Sequence, residues 1–324
     1  MMHDNDQILH LFEATLSQMQ TPEEPELLYA PIIYSMSGGG KRLRPTLLLL
    51  TAEAFGSDVE GAMPAAMAVE VFHNFTLLHD DIMDNADMRR GKPSVYAKWG
   101  GNVAILSGDA MLITAYKYLS QLNGEQLSRV MPLFNTMALE VCEGQQYDMD
   151  FEGKAEVSVE EYIRMIELKT SALLSGSAMI GATLAGASEE DAKRVYRFAT
   201  ELGLAFQLQD DMLDSYGDEA LGKKIGGDIL EGKQTYLMVQ AMNRASESER
   251  EILRTTHLRN DIDNSKKIAT VKALYDKLDV KRLTEQQIEL RFERALSVLD
   301  SLSIAGERTQ HLRDFARNLM GRKK

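Results

Sequence analysis

Proline stops at Pro132. All seven prolines lie at or before that position, so residues 133 to 324 contain none. Inside a helix, proline removes a backbone donor and clashes with the preceding turn, so a proline-free run of this length permits long, unbroken helices. Apolar spacing agrees at both ends: Ile8, Leu9, Phe12 and Leu16 recur at helical intervals, as do Leu312, Phe315 and Leu319. No alternating run bounded by hairpin turns competes with this pattern. Irregular segments fall at TPEEPE (21–26), SGGGKR (37–42), RRGKPS (89–94), KWGGN (98–102) and YGDEALGKKIGGDILEGK (216–233). None is long or biased enough to be a linker, and no short-period repeat is present. The expected fold is all-α, a single-domain helical bundle over residues 1–324.

Charge narrows the partners. The 49 acidic residues outnumber the 36 basic ones, for a net charge of −13, which disfavours nonspecific binding to a nucleic-acid backbone. No nucleic-acid partner is expected, and any phosphate site must be local. Cys142 is the only cysteine, so neither an internal disulfide nor a thiolate metal site is available, and a reducing cytoplasmic location is expected. The start, MMHDNDQ, lacks the basic and apolar regions of a signal peptide. No apolar run approaches the roughly 18 residues of a membrane-spanning helix.

The irregular segments collect the chemistry. In HDDIMDNADMRRG (79–91), Asp80 and Asp84 share one helix face, with Asp81 turned aside. Like charges near a helix C-terminus repel each other and oppose the helix dipole; a divalent cation relieves both penalties. Oxygen-only ligands favour magnesium or calcium. A solvated acidic helix end is the competing reading of one such motif. FQLQDDMLD (206–214) repeats the spacing with Asp210, Asp211 and Asp214, again after a mainly apolar run. Two such motifs facing each other across a bundle would form a metal site.

Basic residues stand beside both. SGGGKRLRP (37–45) sets Lys41, Arg42 and Arg44 next to glycines that let backbone approach an anion, with Pro45 suited to open the next helix. It lacks the spacing of a nucleotide-binding P-loop. Arg89 and Arg90 suit phosphate oxygens, though a basic pair past a helix end also suits the dipole. GKKIGGDILEGK (222–233) adds Lys223, Lys224 and Lys233 after the second acidic motif. His73 and His79 lie on different helix faces and make a poor metal pair; His73 alone reads as a structural histidine.

In this combination and order the motifs resemble those of the trans-isoprenyl diphosphate synthases, or polyprenyl synthetases, over roughly residues 30 to 240. GGKRLRP is similar to the family's isopentenyl-diphosphate loop, and LLHDDIMDNADMRRG to its first aspartate-rich motif. GQQYD (144–148), LKTSAL (168–173), FQLQDDMLD and the lysine-bearing loop after it are similar to the segments that follow. The resemblance implies a bundle around a deep central cavity (the isoprenoid synthase fold), usually homodimeric. It also implies about three Mg2+ ions bound with an allylic diphosphate. By the same resemblance Asp80 and Asp84 hold two ions and Asp210 the third, Asp81 and Asp214 support them, and Asp211 is counted with the metal-binding acids. Arg89, Lys169 and Lys224 bind the allylic diphosphate, assisted by Lys233, while Gly40, Lys41, Arg44, His73 and Arg90 bind isopentenyl diphosphate. Thr170, Gln207 and the Lys169 carbonyl face the developing allylic cation.

The implied reaction is a magnesium-dependent prenyl transfer. Ionisation of the allylic diphosphate is its demanding step, favoured by cations where negative charge develops. Product length is expected to follow Phe72, Phe75 and Thr76, eight, five and four residues before Asp80. Set against the family's farnesyl-producing patterns, a second aromatic beside Phe75 or a two-residue insertion in the first motif, the resemblance with Thr76 and no insertion implies twenty-carbon geranylgeranyl diphosphate over fifteen-carbon farnesyl diphosphate. A class I terpene cyclase is disfavoured by DDMLD, an inactive synthase-like subunit by intact acidic motifs, and a calcium-binding structural bundle by the absence of an EF-hand pattern.

Overall fold

The computed structural model describes residues 2–152, 154, 156–217, 225–258 and 262–321. Its helices are α1 (Asn5–Ser17), α2 (Glu26–Met36), α3 (Leu43–Phe55), α4 (Val59–Met83), α5 (Val95–Trp99), α6 (Gly101–Leu119), α7 (Gly124–Glu152) and α8 (Val159–Ile166). After a π-helical turn (Glu167–Ser171) come α9 (Ala172–Leu184), α10 (Glu189–Tyr216), α11 (Gly227–Glu231), α12 (Tyr236–Arg244), α13 (Glu247–Leu258), α14 (Asn264–Lys277), α15 (Val280–Leu299) and α16 (Gln310–Met320). The all-α expectation holds with one small exception. Met88–Arg89 (β1) and Lys92–Pro93 (β2) pair antiparallel, Arg89 opposite Lys92. Arg90 and Gly91 both have positive φ, 52° and 75°, the geometry of a tight hairpin turn.

Two compact units make up the chain. The first comprises Met1–Asn135, Gly176–Val195 and Leu302–Leu312; the second comprises Thr136–Ser175, Tyr196–Ser301 and Arg313–Lys324. In the first, α4 packs against α3 and α6. Helix α3 is apolar on every side, and Leu47 to Leu50 are fully buried, so it is a core helix rather than an amphipathic one. Phe72 of α4 meets the edge of Phe134 at 5.4 Å, and burying a ring of that size stabilises by about 2–3 kcal/mol. The second unit holds two apolar clusters. One joins Tyr162, Ile166, Leu204, Leu208 and Tyr236; the other joins Leu237, Leu253, Val271 and Tyr275.

Local caps set the ends that matter. Asp58 accepts a hydrogen bond from the Gly61 N–H and starts α4. Helix α4 stops at Met83, with Asp84 as its C-cap and Asn85 left-handed at φ 50°, so Asp80 and Asp81 fall in the last turn. Ser158 and Glu161 form a reciprocal capping box that starts α8, which leads into the π-helical turn. Helix α3 begins at Leu43 rather than Pro45, because Arg42 is left-handed at φ 47° and turns the chain into the helix.

Candidate functional site

In the first unit the acids at the end of α4 meet a cation. Arg89, on β1, places its guanidinium 2.5 Å from Asp81 and 3.1 Å from Asp80. Burial pushes the buried Asp81 carboxyl up, against the pull of Arg89. Burial acts against the Arg89 cation too, but the two acids more than offset it and hold its pKa above the usual value. Two carboxylates at the negative end of a helix are unfavourable alone, and Arg89 offsets part of that repulsion.

Arg90 points elsewhere. Its Nη1 donates to the Gly39 carbonyl, and its guanidinium lies so near Gly40 that a Cβ there would sit 2.9 Å from its central carbon. At φ 134° any other residue at position 40 would be strained and would push the Arg90 tip aside. Arg44 donates from Nη1 to His73 Nε2 at 3.1 Å. A guanidinium has no acceptor, so His73 Nε2 accepts and the neutral ring carries its proton on Nδ1. Burial, with Arg44, Arg90, Arg89 and Arg42 around it, holds His73 well below the usual histidine range. Burial also pushes Arg44 down to about 10, with Glu70 opposing and Arg90 adding to the shift, so Arg44 stays charged at neutral pH. Lys41 is exposed. The glycine-loop cations, His73 and the arginine pair therefore gather around one end of α4.

The rings expected to limit product length sit one to two turns back. Phe75 packs tilted against Phe72 at 5.6 Å and edge-on against the His79 ring at 4.7 Å. His79 lies against Gly108 of α6, where a Cβ would overlap the imidazole. The Thr76 hydroxyl donates to the His73 carbonyl at 2.8 Å.

The second unit carries the other acidic motif in the last turns of α10. Asp211 is buried and accepts from the Tyr162 hydroxyl, from Gln207 Nε2 at 3.0 Å and from the Tyr236 N–H at 3.1 Å. Three donors on its two oxygens hold the Asp211 carboxylate in place. Burial pushes it up to about 6, against those hydrogen bonds. Gln207, its amide fixed by Asp211, presents Oε1 to the Thr170 hydroxyl, which donates at 2.9 Å. Lys169 pairs with Asp148 of the GQQYD segment at 2.5 Å. Lys169 and Thr170 lie in the π-helical turn, a local widening often found where backbone is put to use.

Downstream, the Asp228 N–H donates to Asp214 Oδ2 at 3.1 Å. Burial, then Asp214 and Asp211, push the Asp228 carboxyl up to about 7. Lys233 pairs with Glu231 at 3.0 Å. One hollow of this unit is lined by Asp148, Lys169, Thr170, Gln207, Asp228 and Lys233, among others. Lys223, Lys224 and the terminal Arg322, Lys323 and Lys324 lie outside the described residues.

Both acidic sets offer only carboxylate oxygens, and in the second unit burial, with Asp214 and Asp211 adding repulsion, raises Asp228 towards neutrality; this chemistry fits a hard divalent cation. Among the described residues, no three His, Cys, Asp or Glu side chains already stand in ligating geometry.

Sequence reasoning missed several partners. Glu70, Asn74 and Tyr162 carry no motif, yet they hold Arg42 and Asp211. Buried Lys267 of α14, in a stretch with no chemical assignment, donates to the Leu230 carbonyl at 3.2 Å and so caps α11 beside Lys233. The local sequence gives no signal for these residues, whose partners lie far along the chain.

Comparison with known proteins adds an independent line. Residues 25–278 match the family described as "Polyprenyl synthetase". A geranylgeranyl diphosphate synthase of Methanosarcina mazei is 44% identical over 235 residues, 72% of this chain and 72% of that one. A geranylfarnesyl diphosphate synthase of Aeropyrum pernix is 34% identical over 89% of this chain and 92% of its own. A crystal structure of a geranylgeranyl pyrophosphate synthase superposes with a TM-score of 0.94 at 43% identity, covering all of both chains.

Proposed function

The chain belongs to the polyprenyl synthetase family, and on that basis we propose that this prenyltransferase condenses isopentenyl diphosphate with allylic diphosphates, ending at geranylgeranyl diphosphate. The observation that carries the reading is the end of α4, where Asp80, Asp81 and Arg89 stand beside the Arg44–His73 pair and Arg90. Acids for metal and cations for diphosphate occur there together.

Members of the family work with divalent metal, and we assign Mg2+, about three ions, to Asp80, Asp84 and Asp210, supported by Asp81 and Asp214. Bound metal would neutralise charge on the leaving diphosphate. In the first unit Lys41, Arg44, His73 and Arg90 take isopentenyl diphosphate at the Gly40 loop, and Arg89 takes diphosphate oxygens of the allylic substrate. Neutral His73 accepts from Arg44 and so aims that guanidinium. In the second unit Lys169 and Lys233 bind diphosphate oxygens, with Lys224 assigned the same role from the sequence. The Thr170 and Gln207 oxygens stabilise positive charge developing on the allylic carbon, and Asp211 keeps the Gln207 amide from flipping. The double bond of isopentenyl diphosphate then attacks, and the released proton leaves with the departing diphosphate, so no histidine or cysteine base is required.

The twenty-carbon product follows from Thr76 where a second ring would shorten the space, and agrees with the Methanosarcina relative. Residues 1–324 would act as one catalytic domain. A homodimer is supported by α6, whose Leu106 and Ile113 are 60% and 63% exposed. No described helix is long and apolar enough to cross a membrane, and the lone Cys142 favours the cytoplasm. The test is incubation with isopentenyl diphosphate, Mg2+ and dimethylallyl, geranyl or farnesyl diphosphate in turn, with a chelator control and products sized by mass spectrometry. A chelator-sensitive twenty-carbon product is expected; farnesyl diphosphate as end product would refute the Thr76 reading, and no elongation would refute the activity.

A further inference from the structure

We propose that Arg42 is a guard for the anion site: by holding Glu70 in a buried pair, it keeps that acid from capturing Arg44 and Arg90. The inference rests on the reading of Arg44 and Arg90 as ligands of isopentenyl diphosphate. Arg42 itself is a positioning residue and touches no substrate.

Lys41, Arg42 and Arg44 look equivalent in sequence, but their surroundings differ. Lys41 is exposed, whereas Arg42 is 5% exposed and left-handed at φ 47°, which turns its side chain inward. Its Nη1 donates to Glu70 Oε1 at 2.6 Å and its Nη2 to the Met36 carbonyl at 2.8 Å. Glu70 is 2% exposed, and Asn74 Nδ2 donates both to its side-chain Oε1 and to its backbone carbonyl at 2.9 Å. The acid is thus held by two side chains and faces away from water.

The alternative partners of Glu70 are close. Glu70 and His73 stand three apart on one face of α4, and His73 holds Arg44, so the Arg44 guanidinium sits within about a turn of Glu70. Arg90 lies over Gly40, two positions before Arg42. Glu70 acts electrostatically on both Arg44 and Arg90. The buried Nε of Arg44 lacks a partner, so this side chain has a donor to give. A buried carboxylate stripped of its cation is strongly destabilised and recruits the nearest replacement. Either replacement here comes out of the diphosphate site. A guanidinium does not deprotonate, so the guard holds at any working pH.

The experiment measures KM for isopentenyl and geranyl diphosphates, with melting temperatures, in wild type, R42M and R42M/E70Q. R42M is expected to raise KM for isopentenyl diphosphate about tenfold or more while leaving KM for geranyl diphosphate within about twofold. Neutralising the acid in R42M/E70Q is expected to return it to within about threefold of wild type. If the double variant stays as impaired as R42M, Arg42 braces the loop and the guard is overturned. A folded R42M with unchanged KM overturns it as well, and R42Q replaces R42M if the latter is insoluble. Wild-type protein that elongates nothing would instead fault the proposed function. Calorimetric titration with inorganic diphosphate would then decide the guard, by the same loss in R42M and recovery in the double variant.

Discussion

Gly144 of α7 packs against the backbone of Lys169 so closely that any Cβ at position 144 would overlap the Lys169 amide nitrogen. The contact seats the π-helical turn, and with it Lys169, Thr170 and, through Thr170, the Gln207 amide. Gly144→Ala has to push backbone aside rather than a flexible side-chain tip. It should cost about 1–3 kcal/mol of stability and lower kcat, because the turn carrying Thr170 is displaced. Thermal melting and steady-state kinetics of the variant check this; an unchanged melting temperature and kcat would mean the helices part without consequence.

Asp80→Ala and Asp210→Ala should each lower turnover on the order of a hundredfold or more, since each removes a carboxylate we assign to metal where charge would develop. Circular dichroism should be unaltered, because neither is a core apolar residue. Normal turnover in either variant sinks the metal assignment.

Phe75 lies between Phe72 and His79, ring against ring on both sides. Truncation in Phe75→Ala should shift the product from twenty carbons towards twenty-five, read by mass spectrometry of the dephosphorylated prenols. An unchanged distribution would place the floor elsewhere.

Asp191 gives a pH dependence. It is buried, and burial alone would raise its pKa; hydrogen bonds from the Ser303 hydroxyl and N–H and from Ser188, with Arg194 nearby, outweigh this and hold it below the usual range. A carboxyl whose folded pKa is depressed contributes stability above its unfolded pKa, near 3.9, and loses it as pH falls through the lower folded value. Asp191→Asn should therefore cost about 2 kcal/mol at pH 7, with the gap to wild type closing below about pH 4. Urea unfolding of both proteins across pH 2.5 to 7 measures it; a pH-independent gap would rule out the charge as the cause.

The helices were legible because proline placement and apolar spacing act locally, and the acidic motifs because charge crowded at a helix end has few physical excuses. The hairpin at Met88–Pro93 was not, since its turn uses Arg90 where Asn or Asp is the usual signal. The difference between Arg42 and its neighbours was hidden for another reason. It depends on a left-handed backbone at one residue and on Glu70, 28 positions away, and neither is encoded in the local pattern. Tyr162 and Lys267 were illegible in the same way, as partners supplied by tertiary packing.

The turn between Arg89 and Arg90 makes two neighbours serve two different loops, one gripping the acids at the end of α4 and the other the carbonyl of Gly39. Mechanically this is a short lever with a load at each end. Under the proposed function, an allylic diphosphate that draws Arg89 away from Asp81 would tug on the glycine loop through a linkage a single peptide bond long.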